Sequence, residues 1–110
     1  MEFLDYLTRQ AESCREEIEK LEKEGRKDDA DFAKVRANIY EVCRTVTQAL
    51  GNRPGAGMAA VRARFADFRK VWGGALAQAK EHGDLRNVVV GETKLEALDD
   101  VMAHFPEVDA

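Results

Sequence analysis

One spacing of apolar residues repeats along this chain, and glycines interrupt it at three places. Apolar residues recur at alternating steps of three and four positions from Leu4 to Leu21. The same spacing recurs from Phe32 to Ala49, from Met58 to Ala79 and from Val88 to Phe105. Steps of three and four place side chains on one face of an α-helix, which that helix buries against its neighbours. The pattern therefore predicts four amphipathic helices.

Local signals predict where these helices begin and end. Gly25 and Gly83 follow the last turn of a helical segment, where glycine readily adopts a left-handed cap. Asp28 and Asp29 suit the N-cap and first turn of the second helix, and Asp84 suits the N-cap of the fourth. We expect helices at about residues 2–24, 28–50, 58–81 and 84–105.

The connections between these helices predict the architecture. The chain has 110 residues, the size of one domain spanning residues 1–110. The turns at Gly25 and Gly83 are short, so the helices on either side of each must form antiparallel hairpins. We expect an all-α fold, an antiparallel up-down-up-down four-helix bundle.

Two stretches weaken the helical pattern. Val88-Val89-Val90 has the composition of a strand, but the helical spacing continues through it, which favours a helix. Gly73-Gly74 interrupts the third helix, where each glycine costs about 1 kcal/mol relative to alanine and could kink or break it.

Composition excludes several classes of protein. No apolar run is long enough to span a membrane, and the acidic start of the chain does not fit a signal peptide. We therefore expect a cytoplasmic protein whose two cysteines, Cys14 and Cys43, are buried thiols, with a regulatory pair as the alternative.

No motif indicates a catalytic, cofactor or metal site. A di-iron bundle needs Glu-x-x-His, whereas Ala79 and Val101 stand three positions before His82 and His104. Both histidines fall near helix C-termini, where they suit capping roles. We expect no enzyme activity, no cofactor and no metal.

Charge is distributed unevenly. Residues 53–70 carry five basic side chains against the single acid Asp67, whereas residues 84–110 are strongly acidic. One interpretation is that the third and fourth helices pair electrostatically. The other is an anion-binding face for a nucleic acid or another polyanion, although the acidic net charge of −4 argues against nucleic acid. The residues of that face are Arg62, Arg64, Arg69 and Lys70.

Two stretches resemble small bacterial helical domains of unknown function. One is EGRKDDADFAKVRANIYEVC, residues 24–43, and the other is VVVGETKLEAL, residues 88–98. The resemblance implies a bacterial helical protein and transfers no functional residue. Gly91, in the second stretch, occupies a position where a stronger helix former is expected.

Three functional hypotheses follow. The first is a non-enzymatic protein-interaction or structural module, with self-association as one form of the interaction and with Tyr40, Val89 and Val90 on an exposed patch. The second is a polyanion-binding regulator that uses the basic face. The third is a ligand-binding bundle with a small apolar pocket near Trp72, beside Gly73-Gly74.

Overall fold

The computed structural model describes residues 2–55 and 57–106. These residues form four α-helices, and no strand occurs within the described ranges. The helices are α1 Glu2–Lys23, α2 Lys27–Leu50, α3 Gly57–Glu81 and α4 Leu85–Ala103. The predicted all-α class is confirmed, and the helix ends lie within two residues of the expected positions.

The two short turns share one hydrogen-bonding pattern. Gly25 has φ 74° and Gly83 has φ 66°, both in the left-handed region. In the first turn the amide of Arg26 donates to the carbonyl of Leu21, and in the second the amide of Asp84 donates to Ala79. Each of these hydrogen bonds joins an amide to the carbonyl five residues earlier. This pattern defines a Schellman motif, which satisfies carbonyl groups at the helix end.

Helix α2 lies at the centre of the fold. It contacts α1, α3 and α4, and α3 also packs on α4. The start of α1 meets the end of α4, where the rings of Phe3 and Phe105 lie 5.2 Å apart, and Phe65 of α3 joins them 5.9 Å from Phe105. We call this the converging end. The opposite end, which carries the turns at Gly25 and Gly83, is the turn end.

The main hydrophobic core extends from the converging end along α2. Its largest fully buried apolar side chains come from all four helices. They are Leu7, Ile39, Val61, Phe65, Leu98 and Val101. A second, smaller cluster lies at the turn end of the first hairpin, where Leu21 packs with Ala30 and Ala33.

The local expectations have different outcomes. Asp84 is the N-cap of α4, as predicted, and its carboxylate accepts the amide of Asn87 at 3.2 Å. The expectation of an N-cap at Asp28-Asp29 is wrong: Arg26 is the N-cap of α2, and both aspartates lie in the first turn. Helix α3 continues through Gly73-Gly74 without a break, and Val88 to Val90 are helical.

Candidate functional site

Side chains from three helices meet around the carboxylate of Asp100. The hydroxyl of Tyr40 on α2 donates to Asp100 Oδ2 at 2.6 Å, and the hydroxyl of Tyr6 on α1 donates to the same oxygen. The ring of His104 stacks on Tyr6 with centroids 4.0 Å apart. We call these four residues the tyrosine–aspartate cluster.

The electrostatics of the cluster keep its charge fixed. Partial burial alone would raise the pKa of Asp100, but the hydrogen bonds from Tyr40 and Tyr6 and the nearby His104 lower it below its ordinary value. Burial and the bonds to Asp100 raise the pKa of both tyrosines. At neutral pH the carboxylate is therefore ionised and both hydroxyls remain protonated donors. The arrangement ties α1, α2 and α4 together.

The residues predicted to form one exposed patch do not lie together on the surface. The prediction that Tyr40 is exposed is wrong: its side chain is only 4% exposed, because its ring belongs to the core and its hydroxyl bonds Asp100. Val89 is 41% exposed and faces a depression between α4 and the first hairpin. Val90 is partly buried and lines a different depression, between α3 and α4.

The depression between α3 and α4 is an open groove of about 400 Å³ near the turn end. We call it the α3–α4 groove. Its walls combine six apolar or glycine residues with five polar or charged ones. The residues that line it are Trp72, Ala75, Leu76, Gln78, Ala79, His82, Asp84, Asn87, Val90, Gly91 and Lys94.

Gly91 explains how the two helices approach each other in this groove. A Cβ atom at Gly91 would lie 3.1 Å from Leu76 Cβ and 3.1 Å from Leu76 Cδ1. Glycine is therefore present where the side chain of α3 presses on the backbone of α4. The apolar depression expected beside Gly73-Gly74 lies beside Gly91 instead, and Trp72 does line it, as the third hypothesis expected.

Charges in the groove lie at its two ends. Lys94 Nζ is 5.8 Å from the centroid of the Trp72 ring, a cation–π distance. Asp84, ten residues earlier on α4, lies at the end beside the turn. Helix α3 contributes the neutral side chains between these ends.

The basic face of α3 is only partly available to an external anion. All four predicted residues are exposed, but Arg69 forms an ion pair with Asp99 of α4 at 2.6 Å. The guanidinium of Arg62 lies over the ring of Phe105 at 5.4 Å. Arg64 and Lys70 are exposed beside them. The Arg69–Asp99 pair is of the kind expected if α3 and α4 pair electrostatically.

The remaining candidate residues are either buried or hydrogen-bonded to the backbone. Cys14 and Cys43 are buried free thiols, and burial raises the pKa of both, that of Cys43 to about 12. The Nδ1 atoms of His82 and His104 donate to the carbonyls of Gln78 and Asp100, four residues earlier, as capping histidines do.

No metal-binding group and no membrane-spanning helix is found in the part of the chain that the structure describes. Within residues 2–55 and 57–106, no three histidine, cysteine, aspartate or glutamate side chains come together as a metal-ligand set. None of the described helices is both long enough and apolar enough to cross a bilayer. No protein-family model, curated protein or solved structure matches the chain.

Sequence reasoning missed two features of these sites. It placed Tyr40 in an exposed patch and did not predict that Tyr40 and Tyr6 bond to Asp100, because Asp100 is 60 and 94 residues away from them in the chain. It also treated Gly91 as a weak point. The one available signal was a glycine in an otherwise regular helical register, at position 91.

Proposed function

We propose that this chain is a non-enzymatic protein-interaction module that associates with a second copy of itself through the α3–α4 groove. The observation that carries the proposal is the groove itself, a partly apolar depression open along two helices. Helices that pair with other helices present surfaces of this kind, with small residues that allow close approach.

The surface around the groove supports a protein partner. Val71 is 66% exposed, and it lies one turn before Ala75 on the same side of α3. Valine at this exposure extends the apolar area beyond the groove, and exposed apolar area favours association. The groove also runs from Lys94 to Asp84, about 15 Å along α4, the length of nearly three helical turns.

The polar groups near the core support a non-enzymatic role. The tyrosine–aspartate cluster joins helices, and both histidines bond to backbone carbonyls. We also infer that the helices run up-down-up-down. The two three-residue turns reverse the chain, and the start of α1 lies against the end of α4, as that arrangement requires.

Light-scattering molar mass across a size-exclusion peak tests this proposal. We expect wild-type protein to elute at twice the monomer mass of 12.3 kDa at high concentration and to dissociate on dilution. Ala75→Glu places a charge in the groove and should give the monomer. The matched control is Ala77→Glu, an exposed alanine on the same helix that does not line the groove, and it should leave the mass unchanged.

A monomer at every concentration would contradict self-association. In that case the leading alternative is a small-ligand site in the same groove, favoured by the position of Lys94 over Trp72. Trp72 is the only tryptophan in the chain, so its fluorescence reports on the groove directly. A panel of aromatic carboxylates that leaves this fluorescence unchanged would remove the alternative as well.

A further inference from the structure

The charges along the α3–α4 groove are arranged for one orientation of a partner. Lys94 lies at one end, beside Trp72, and Asp84 lies at the other, beside the turn. The residues of α3 that line the space between them, including Ala75 and Gln78, carry no charge. A partner therefore meets a positive charge at one end of the groove and a negative charge at the other.

We propose that the second copy docks antiparallel across the groove, about a two-fold axis, so that Lys94 of each copy pairs with Asp84 of the other. This inference rests on the proposed self-association and specifies its geometry. Two-fold symmetry permits either a parallel or an antiparallel dimer. The parallel dimer places Lys94 against Lys94 and Asp84 against Asp84. The antiparallel dimer places opposite charges together twice, and like charges across an interface are costly.

The position of the axis follows from the same two residues. The midpoint between Asp84 and Lys94 on α4 is position 89, and Val90 is the groove residue closest to that level. On α3, Leu76 contacts Gly91, which brings Gln78 close to the same level. In the antiparallel dimer Val90 and Gln78 therefore lie near their own symmetry mates. The two Lys94 residues are separated by about 15 Å along the axis.

Charge reversal tests the pairing. Lys94→Glu and Asp84→Lys should each raise the dissociation constant of the dimer by about tenfold or more, because each homodimer then contains two like-charge contacts. An equimolar mixture of the two variants should recover the dimer mass, since both contacts in the mixed dimer join opposite charges. Far-ultraviolet circular dichroism of each variant checks that it is folded, because Asp84 also caps α4.

Cysteine crosslinking tests the geometry without changing the cap. Under oxidation by copper phenanthroline, Gln78→Cys should form a covalent dimer, whereas Lys94→Cys should not, because a disulfide requires Cα atoms within about 7 Å. The native thiols Cys14 and Cys43 are buried and do not compete.

The outcomes separate this inference from the proposed function. If the wild type is dimeric but the charge-reversed variants do not recover the dimer when mixed, or if Lys94→Cys crosslinks as well as Gln78→Cys, the antiparallel geometry is overturned and self-association stands. If the wild type is monomeric throughout, both are overturned.

Discussion

The α1–α2 hairpin and the α3–α4 hairpin use the same three-residue turn but fill the space behind it differently. In the first, Leu21, Ala30 and Ala33 are buried and close the helices against each other as far as the turn. In the second, Ala79 is the residue of α3 buried near the turn, and Leu85, just after it, is 79% exposed. Both hairpins border a depression near the turn, but only in the second does that depression run between the two helices of the hairpin alone; in the first, α4 forms one of its walls.

This comparison separates two roles of local sequence. The glycine and its hydrogen bonds determine the direction of the chain, and both hairpins share them. The side chains in the following turns determine how closely the helices pack. In the second hairpin the close contact lies at Leu76 and Gly91, and the groove extends from Trp72 and Lys94 past that contact to the turn.

The largest expected effect comes from comparing two aromatic residues of α3. Phe65 is buried at the converging end, so Phe65→Ala should lower the free energy of unfolding by about 3–5 kcal/mol. Trp72 is partly buried in the groove, and Trp72→Ala should cost clearly less because part of its surface already contacts water. Urea denaturation measures both. Equal losses would show that the groove is packed as tightly as the converging end.

A second pair of variants tests the close contact between the helices. Gly91→Leu should lower the free energy of unfolding by about 1–3 kcal/mol, because the new side chain must displace Leu76. Gly74→Leu is the matched control: no atom lies within 4 Å of a Cβ there, so it should raise stability by about 1 kcal/mol through helix propensity. Thermal unfolding of both variants measures these changes in stability. If Gly91→Leu instead raises the stability, α3 and α4 are free to move apart.

The tyrosine–aspartate cluster should give a pH-dependent effect. Asp100→Asn should cost about 1–2 kcal/mol at pH 7, because the hydrogen bonds from Tyr6 and Tyr40 lose the negative charge of their acceptor. The pKa of Asp100 is lowered in the folded protein, so its contribution is present above the unfolded pKa of about 3.9 and lost as the pH falls through the folded pKa.

Urea denaturation at pH 7 and pH 3 measures this contribution. The difference between wild type and Asp100→Asn should shrink at the lower pH. Asp99→Asn is the adjacent control, and it should cost less than about 1 kcal/mol because Asp99 pairs with Arg69 on the exposed surface. If Asp100→Asn lowers the free energy of unfolding by the same amount at both pH values, the conclusion that Asp100 is ionised in the folded protein is contradicted.

The smallest expected effect compares the starts of the second helix in each hairpin. Asp84→Ala removes the carboxylate that accepts the amide of Asn87 and should cost about 1 kcal/mol. Arg26 is the N-cap of α2 but makes no side-chain capping bond, so Arg26→Ala should change stability by less than about 0.5 kcal/mol. Equal effects in chemical denaturation would show that the cap of α4 adds nothing.

The features that sequence predicted are those set by neighbours in the chain. Apolar spacing predicted the four helices, and the position of Asp84 before a helical segment predicted its cap. The helical conformation of Val88 to Val90 was also predicted correctly, because the helical spacing of apolar residues outweighed the local preference of valine for strands.

The features that sequence missed depend on distant partners. Tyrosine is compatible with a surface and with a core, and Tyr40 is buried here with its ring in the core and its hydroxyl bonded to Asp100. In the same way Gly91 is unfavourable for a helix taken alone and suits this one only because Leu76 lies against it. The sequence was enough to predict a depression near Trp72. It was not enough to predict that Gly91, and not Gly73 or Gly74, lines that depression, because this depends on which glycine faces the other helix.

The bonds to Asp100 also bear on the kinetics of folding. The contacts within each hairpin join residues close in the chain and can form early, whereas Tyr6 and Asp100 must meet across 94 positions. Interactions absent from the transition state affect the unfolding rate rather than the folding rate. Loss of the Asp100 carboxylate should therefore speed unfolding several-fold and leave refolding nearly unchanged. The lifetime of the native state, more than the time needed to reach it, then depends on this one side chain.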